Sequence, residues 1–343
     1  MEQLYCGIDL HSNNSVVVLS DEKDKVIYQK RLSNDLKEIL DALSRYRKQI
    51  NGIVVESTYN WYWLADGLEE EGYAVHLANT AAIQQYSGLK HTNDQSDARW
   101  LAHMLRLGIL EKGYIYPKEE RGLRELLRRR TFLIQRQTQC ALGIQAMVTR
   151  YENIKFTAAK LKGCQREEDQ KKLIGHIKNK HVQIAVGLEL KVLNCIMEQV
   201  EKLEQHIFLE MKEKGIDKRL KKMPGIGIIL STTILLETGD IKRFASAGNY
   251  SSYCRCVESK RESNAKKKGE NNRKNGNAYL GWAFVEAANY AIRYYEPVKR
   301  YYQRKLAKRN RTVAIKSIAN KLSKACYFMI RDGVAFDMQK LFG

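Results

Sequence analysis

The feature that most constrains the fold is a change of periodicity at Pro117. Before it, short β-branched runs alternate with helical patterns; after it, the 343-residue sequence is almost entirely helical in character. "LYCGIDL" and "SVVVLS" read as strands joined by the polar turn "HSNN", and "KVIYQKRL" reads as a third. "NDLKEILDALSRYR" predicts a helix capped by Asn34, followed by the strand "GIVVES", the helix "WYWLADGLEEEG" ending at Gly72, and the strand "YAVHLA". With the helical pattern that begins near Asp94, the order β-β-β-α-β-α-β-α predicts an α/β domain with a mixed central sheet.

Prolines occur only at 117, 224 and 297, and the first two punctuate the chain. Between them "ERGLRELLRRRTFLIQRQTQCALGIQAMVTRY" and the stripe Leu193, Ile196, Val200, Leu203, Ile207 predict two long helices. The stripe has coiled-coil spacing, and its expected use is an intramolecular antiparallel hairpin. After Pro224 come "MPGIGIILSTTILLETGDIKRF", a basic loop, and closing helices around "GWAFVEAANYAI" and "AIKSIANKLSKACYFMI". Within the loop, residues 266–277, "KKKGENNRKNGN", form a low-complexity patch expected to be mobile when unbound.

No apolar run reaches membrane-spanning length, and the N-terminus lacks the layout of a signal peptide, so a cytoplasmic protein is expected. The seven scattered cysteines fit reduced thiols, and Cys254 and Cys256 have no second ligand pair to complete a zinc site. Charge is unevenly spread. Net charge is +20, yet residues 1–112 hold 12 Lys and Arg against 16 Asp and Glu, while the remainder hold 47 against 23. That imbalance points to a polyanion, nucleic acid, held by the C-terminal two thirds. Arg124, Arg128, Arg129 and Arg130 are clustered near one end of a helix and offer one such surface. The basic loop, with Arg255, Lys260, Arg261, Lys266, Lys267, Lys268, Arg273 and Lys274, offers another. "MPGIG" is similar to the hairpin of a helix-hairpin-helix element, in which Gly225 and Gly227 would let backbone N–H groups approach a phosphate.

Four carboxylates stand apart. Asp9 ends the first strand, and Glu56 ends the strand that follows the first helix; if these strands are neighbours, both emerge at one sheet edge. Asp94 and Asp97 are three apart and share a helix face that could close over that edge. The helix dipole favours acidic residues in a first turn. Four together need a cation, and oxygen ligands select magnesium or manganese, which can clamp a phosphodiester during in-line attack.

Those four positions, with "GIDLHSNNSVVVL", "VVESTYNWYWLADGLEEEGYAVHLAN" and "LKHTNDQSDARWLAHMLR", resemble the N-terminal domain of DEDD-type insertion-sequence transposases, the bridge-RNA-guided recombinases. The resemblance implies an RNase H or RuvC-like domain with Asp9, Glu56, Asp94 and Asp97 as its acidic set. The family's Thr before the first helical Asp is Asn93 here. From "MPGIGIILSTTILLETGDIKRFASAGNYSSYCRC" through "GNAYLGWAFVEAANYA" the chain resembles the accompanying transposase domain, which carries a nucleophilic serine. Spacing from Tyr253 and from the Gly-Asn pair places that serine on Ser263, with Ser259 as the alternative. Arg255 and Glu258 replace the family's Gly and Pro, and Asn264 replaces the Gly after the serine. All seven His residues lie at or before His206, so no Ser–His pair is available locally; a metal and cationic side chains would have to support the serine.

Three regions are expected: 1–115, the RuvC-like DEDD domain; 116–215, a helical coiled-coil-like middle; and 216–343, a mainly helical transposase domain with the serine and basic loop. The resemblance further implies donor and target double-stranded DNA, a structured bridge RNA as guide, a phosphoserine intermediate, and a homo-oligomer from dimer to tetramer, associated with the nucleoid when bound to DNA. Two alternatives remain open from the residues: a metal-dependent structure-specific nuclease such as a junction resolvase, and a nonenzymatic RNA-binding protein.

Overall fold

A computed structural model describes residues 2–79, 93–213, 218–259, 261–264, 266–269 and 275–343. The chain divides into two units, one of residues 1–118 with 259–275, the other of 119–258 with 276–343.

In the first unit, β1 (Leu4–Leu10), β2 (Asn14–Ser20) and β3 (Val26–Ser33) form an antiparallel meander. Helix α1 (Leu36–Ser44) leads to β4 (Ile50–Glu56), which pairs parallel to β1; α2 (Tyr62–Glu70) leads to β5 (Val75–Ala78), parallel to β4. Helix α3 (Asp94–Arg106) follows, and β6 (Lys112–Gly113) closes the edge antiparallel to β5. The sheet order is β3-β2-β1-β4-β5-β6, the mixed sheet that the alternating periods predict. One face packs Ile8, Val17, Ile53 and Val55 on Ile39, Leu43, Leu64 and Leu68 of α1 and α2. The other packs Val16, Val18 and Val54 beneath Ala98, Leu101 and Met104 of α3. The cap of α1 is Asp35, whose carboxylate accepts from the N–H groups of Lys37 and Glu38; Asn34 instead accepts from Ser15 Oγ and donates to the His11 carbonyl.

Glycine decides how closely α3 approaches. A Cβ on Gly7 of β1 would lie 2.0 Å from the Ala98 carbonyl oxygen, so only hydrogen at that position lets the helix rest on the strand. Asp9 is two residues further on and therefore faces the same side, toward the start of α3.

The second unit is helical. Helix α4 (Lys118–Glu152) starts at the boundary; α5 (Ala158–Gly163) and α6 (Glu167–Gly175) lead to α7 (Lys180–Glu213). Leu123 and Leu127 pack on Ile207 and Met211, whereas Ile144 and Val148 pack on Val182 and Val186, so α4 and α7 run antiparallel within the chain. Leu193 and Ile207 of the expected stripe are fully buried in these contacts. Then come α8 (Ile228–Thr238), α9 (Ala247–Tyr253), the short antiparallel strands β7 (Arg261–Ser263) and β8 (Lys266–Gly269) of the first unit, and α10 (Ala278–Tyr294), α11 (Glu296–Leu306), α12 (Arg311–Asp332) and α13 (Met338–Phe342). Tyr250, Phe284, Leu322 and Tyr327 centre the core of these helices.

Candidate active site

The register between β1 and β4 pairs Ile8 with Val55, which brings the next residues, Asp9 and Glu56, level on neighbouring strands. Asp9 is 2% exposed. The first turn of α3 comes down on the same side with Asp94 and Asp97. Neither aspartate caps the helix: Asn93 Oδ1 accepts from the Ser96 N–H at 2.8 Å, and Ser96 Oγ accepts from the Asn93 N–H at 2.9 Å. Asn93 thus serves as the cap.

The carboxylates sense one another. Burial, a hydrogen bond with Asp9 and the charges of Asp9 and Asp97 push Glu56 up to about 8. Burial, with the charges of Asp9 and Asp94, also raises Asp97 against the opposing effect of His11. Asp94 goes the other way: Arg31 Nη2 donates to its Oδ2 at 2.5 Å, and this bond together with His11 holds it below the ordinary aspartate range.

His11 and Arg31 are additions that the sequence did not single out. The His11 Nε2 atom lies 3.3 Å from Asp9 Oδ2 and 3.2 Å from Asp94 Oδ2 without hydrogen-bond geometry to either. One donor atom from each of Asp9, His11 and Asp94 falls within 4.8 Å of the others. Its carbonyl is fixed by Asn34 Nδ2 and Asn60 Nδ2, each at 3.0 Å. The available signal was the Asp9-x-His11 spacing, which puts two donors on one side of an extended chain. Asp97 Oδ1 is buried with no hydrogen-bond partner among the described residues. Three mutually repelling carboxylates, one with an orphaned oxygen, fit a hard divalent cation.

Ser263 ends β7 and is exposed, pairing in register with Lys266. It belongs to the same unit as the four carboxylates. Asn264 after it has φ +51°, and Arg255 has φ +52°. Both occupy the left-handed region, where glycine is easiest and asparagine next. Ser259 is half-buried.

Several expected nucleic-acid contacts are placed elsewhere. Arg124 and Arg128 are not a free surface. Arg124 Nε donates to Glu237 Oε2 at 3.0 Å, and Arg128 donates to both oxygens at 2.6 and 2.9 Å. Asn277 Nδ2 completes the set at 2.7 Å, and Arg128 also stacks over Tyr279. Arg130 is held by Glu204 at 2.6 Å. Arg124 is buried and Arg128 and Arg130 are half-buried with their charge answered by Glu237 and Glu204, so of these four only Arg129 is fully exposed, 4.0 Å from Glu125. Gly225 has φ +77°, and a Cβ there would lie 2.1 Å from the Ala287 carbonyl oxygen; its role is close packing on α10. Gly227 is exposed at the start of α8. Arg255 Nη2 donates to the Gly276 carbonyl at 3.0 Å. Lys266 and Lys268 are exposed, while Lys260, Arg273, Lys274 and the side chains of Arg261 and Lys267 lie outside the described residues.

Known proteins match both parts. Residues 6–153 match a transposase family model of the DEDD IS110 kind, and residues 217–303 match that of the transposase IS116/IS110/IS902 family. An uncharacterized 43.6 kDa protein of insertion element IS110 from Streptomyces coelicolor is 27% identical over 147 residues, covering 42% of this chain and 36% of that protein. The match thus spans about a third of the relative's length.

Proposed function

We infer that the chain, a DNA transposase of the IS110/IS116 family with a DEDD domain, cuts and rejoins DNA strands to move an insertion element, guided by a structured RNA. The observation that carries this is the convergence of Asp9, Glu56, Asp94 and Asp97 at one sheet edge, with Asp94 and Asp97 released from capping by Asn93 and Ser96. The sheet order and the helix over β1 support an RNase H or RuvC-like first domain over 1–115, followed by a helical middle to 215 and the transposase domain.

Asp9, Glu56, Asp94 and Asp97 would hold magnesium or manganese, with His11 as an added nitrogen donor. The bound ion would supply Lewis-acid stabilisation of negative charge on the scissile phosphate. Asp9 and Glu56, on neighbouring strands, give the site a rigid base, and the Asn34 and Asn60 bonds fix the turn that carries His11. Ser263 is the attacking group. Its Oγ forms a bond to phosphorus as the bond to the strand oxygen breaks, the hydroxyl proton passing to the leaving oxygen. A hydroxyl of the incoming strand then displaces the serine, which regains a proton. Lys266 and Lys268 beside it supply charge for the backbone phosphates. Positive φ at both positions where the family has Gly, Arg255 and Asn264, supports Ser263 over Ser259. Donor and target duplexes, and a dimer or tetramer to bring them together, complete the proposal.

The test uses purified chain, element-flanking RNA, magnesium and labelled junction DNA. A denaturation-resistant adduct lost in Ser263→Ala and in Asp9→Asn is the expected result. An adduct that persists in Ser263→Ala moves the nucleophile to Ser259; clean cuts with no adduct in either protein make the chain a nuclease.

A further inference from the structure

With Arg124, Arg128 and Arg130 neutralised inside the fold, much of the positive charge of the C-terminal two thirds must be displayed elsewhere. Residues 293–311, from the end of α10 through α11 to the start of α12, hold eight Lys and Arg against one carboxylate, Glu296. All eight cations are exposed, and none makes an ion pair among the described residues. Such a run carries self-repulsion that a bound polyanion would relieve.

Charge alone does not distinguish a duplex from a single strand, but the adjoining aromatics do. Tyr290 and Tyr294, one turn apart at the end of α10, are 44% and 67% exposed. Their rings lie 6.3 Å apart at 16°, with the Arg293 guanidinium 5.9 Å from the first. Tyr295, also exposed, links α10 directly to α11. Two nearly parallel phenol faces in water cannot stack on the bases of a duplex, which are stacked away inside it. They match unpaired bases, whose faces are open, while the cations of α11 follow the backbone. Helix α11 spans about 16 Å, a length several nucleotides can track.

We propose that the end of α10 with α11 is a single-strand platform, on which Tyr290 and Tyr294 stack unpaired bases of DNA while Lys299, Arg300, Arg304 and Lys305 hold the phosphates. The choice of DNA rather than RNA rests on the function proposed above, since strand exchange exposes unpaired DNA; the stacking surface itself does not depend on it.

Fluorescence anisotropy of the full chain with labelled dT20, rU20 and a 20-base-pair duplex tests this, at two salt concentrations. The Tyr290→Ala/Tyr294→Ala variant should bind dT20 at least about 25-fold more weakly, about fivefold for each lost stack, with duplex affinity and melting temperature unchanged. The Arg300→Glu/Arg304→Glu variant should weaken both ligands and flatten the salt dependence. Unchanged dT20 binding by the tyrosine variant, or an equal loss on the duplex, overturns the platform. A tyrosine-dependent preference for rU20 over dT20 overturns the assignment to DNA. Because this assay reads binding without cleavage while the adduct assay reads cleavage by the wild-type chain, failure here and failure of the transposase mechanism are told apart.

Discussion

Replacing Glu237 by Gln keeps the shape of the side chain and removes its charge, and the consequence can be worked from its surroundings. Glu237 is 2% exposed and accepts from Arg124, Arg128 and Asn277. Glutamine can satisfy Asn277 and part of one guanidinium, but it leaves the buried Arg124 and the partly buried Arg128 without a counter-charge. Breaking a buried pair in this way costs about 3–5 kcal/mol. In a unit of roughly 200 residues each kcal/mol shifts the midpoint by about 2–4 °C, so the transition of the C-terminal unit should fall by roughly 6–20 °C. Acid supplies a second readout. Burial alone would raise the Glu237 carboxyl, but the bond from Arg128 and the charges of Arg124 and Arg128 outweigh it and hold the group below 4.5. A depressed carboxylate stabilises above its unfolded value and loses that contribution as pH falls through the folded one. Wild type should therefore lose stability below about pH 4.5 faster than Glu237→Gln. The triple change Glu237→Leu, Arg124→Met, Arg128→Met should recover most of the lost stability, since no charge is left stranded. Scanning calorimetry that put Glu237→Gln within 2 °C or so of wild type, with the same acid slope, would refute the reasoning.

Three further outcomes are expected. Gly7→Ala places a methyl 2.0 Å from the Ala98 carbonyl and must push α3 off β1, so magnesium affinity by calorimetry should fall along with stability, by about 1–3 kcal/mol for overpacking. In EDTA, thermal stability of the first unit should fall as pH rises from 5 to 8.5. Glu56 is raised to about 8, so its stabilisation is complete below 4.5 and is lost as the group ionises; Glu56→Gln should flatten that slope. At Asn264, φ +51° accepts Gly and disfavours a β-branched residue, so Asn264→Gly should retain adduct formation with DNA while Asn264→Val impairs it.

The acidic edge was legible in part. Asp9 and Glu56 each end a β-branched run, but periodicity left open whether those runs are neighbours. Two further strands and a helix lie between β1 and β4, and the parallel pairing of the two is set by the sheet order. What periodicity does not carry is the fate of a long cationic side chain. Arg124 and Arg128 read as surface because four arginines crowd a short stretch, yet Arg124 lies on the stripe that α4 buries with Leu123 and Leu127, and Arg128 is half-buried beside it. The missing half of the signal was Glu237, the one charged residue in the otherwise uncharged helix "IILSTTILLET", more than a hundred positions away. A lone carboxylate in an apolar helix demands partners, and an arginine cluster in excess of its neighbouring acids supplies them. Likewise Asn34 looked like a cap because it precedes Asp35, but two adjacent candidates compete, and the loser became the brace on the His11 carbonyl.

Taken together, these placements separate charges that the fold settles for itself from those it leaves open. Glu237 with Arg124 and Arg128, and Arg130 with Glu204, are complete inside the protein, and their energy is spent on holding α4 against its neighbours. Asp94 is partly answered by Arg31. Glu56 and Asp97, however, are raised by burial and by the neighbouring carboxylates, Asp97 keeps an orphaned oxygen, and the eight cations beyond Tyr290 have no acidic partner among the described residues. Folding stability selects against both arrangements, since each adds repulsion that burial elsewhere must offset. On the two proposals above, ligands of opposite sign would complete them: a divalent cation at the sheet edge and a phosphate backbone along α11. On that reading the chain would hold a polyanion and break a bond in it. Charge left unsettled in the isolated protein is therefore a better guide to its chemistry than total charge.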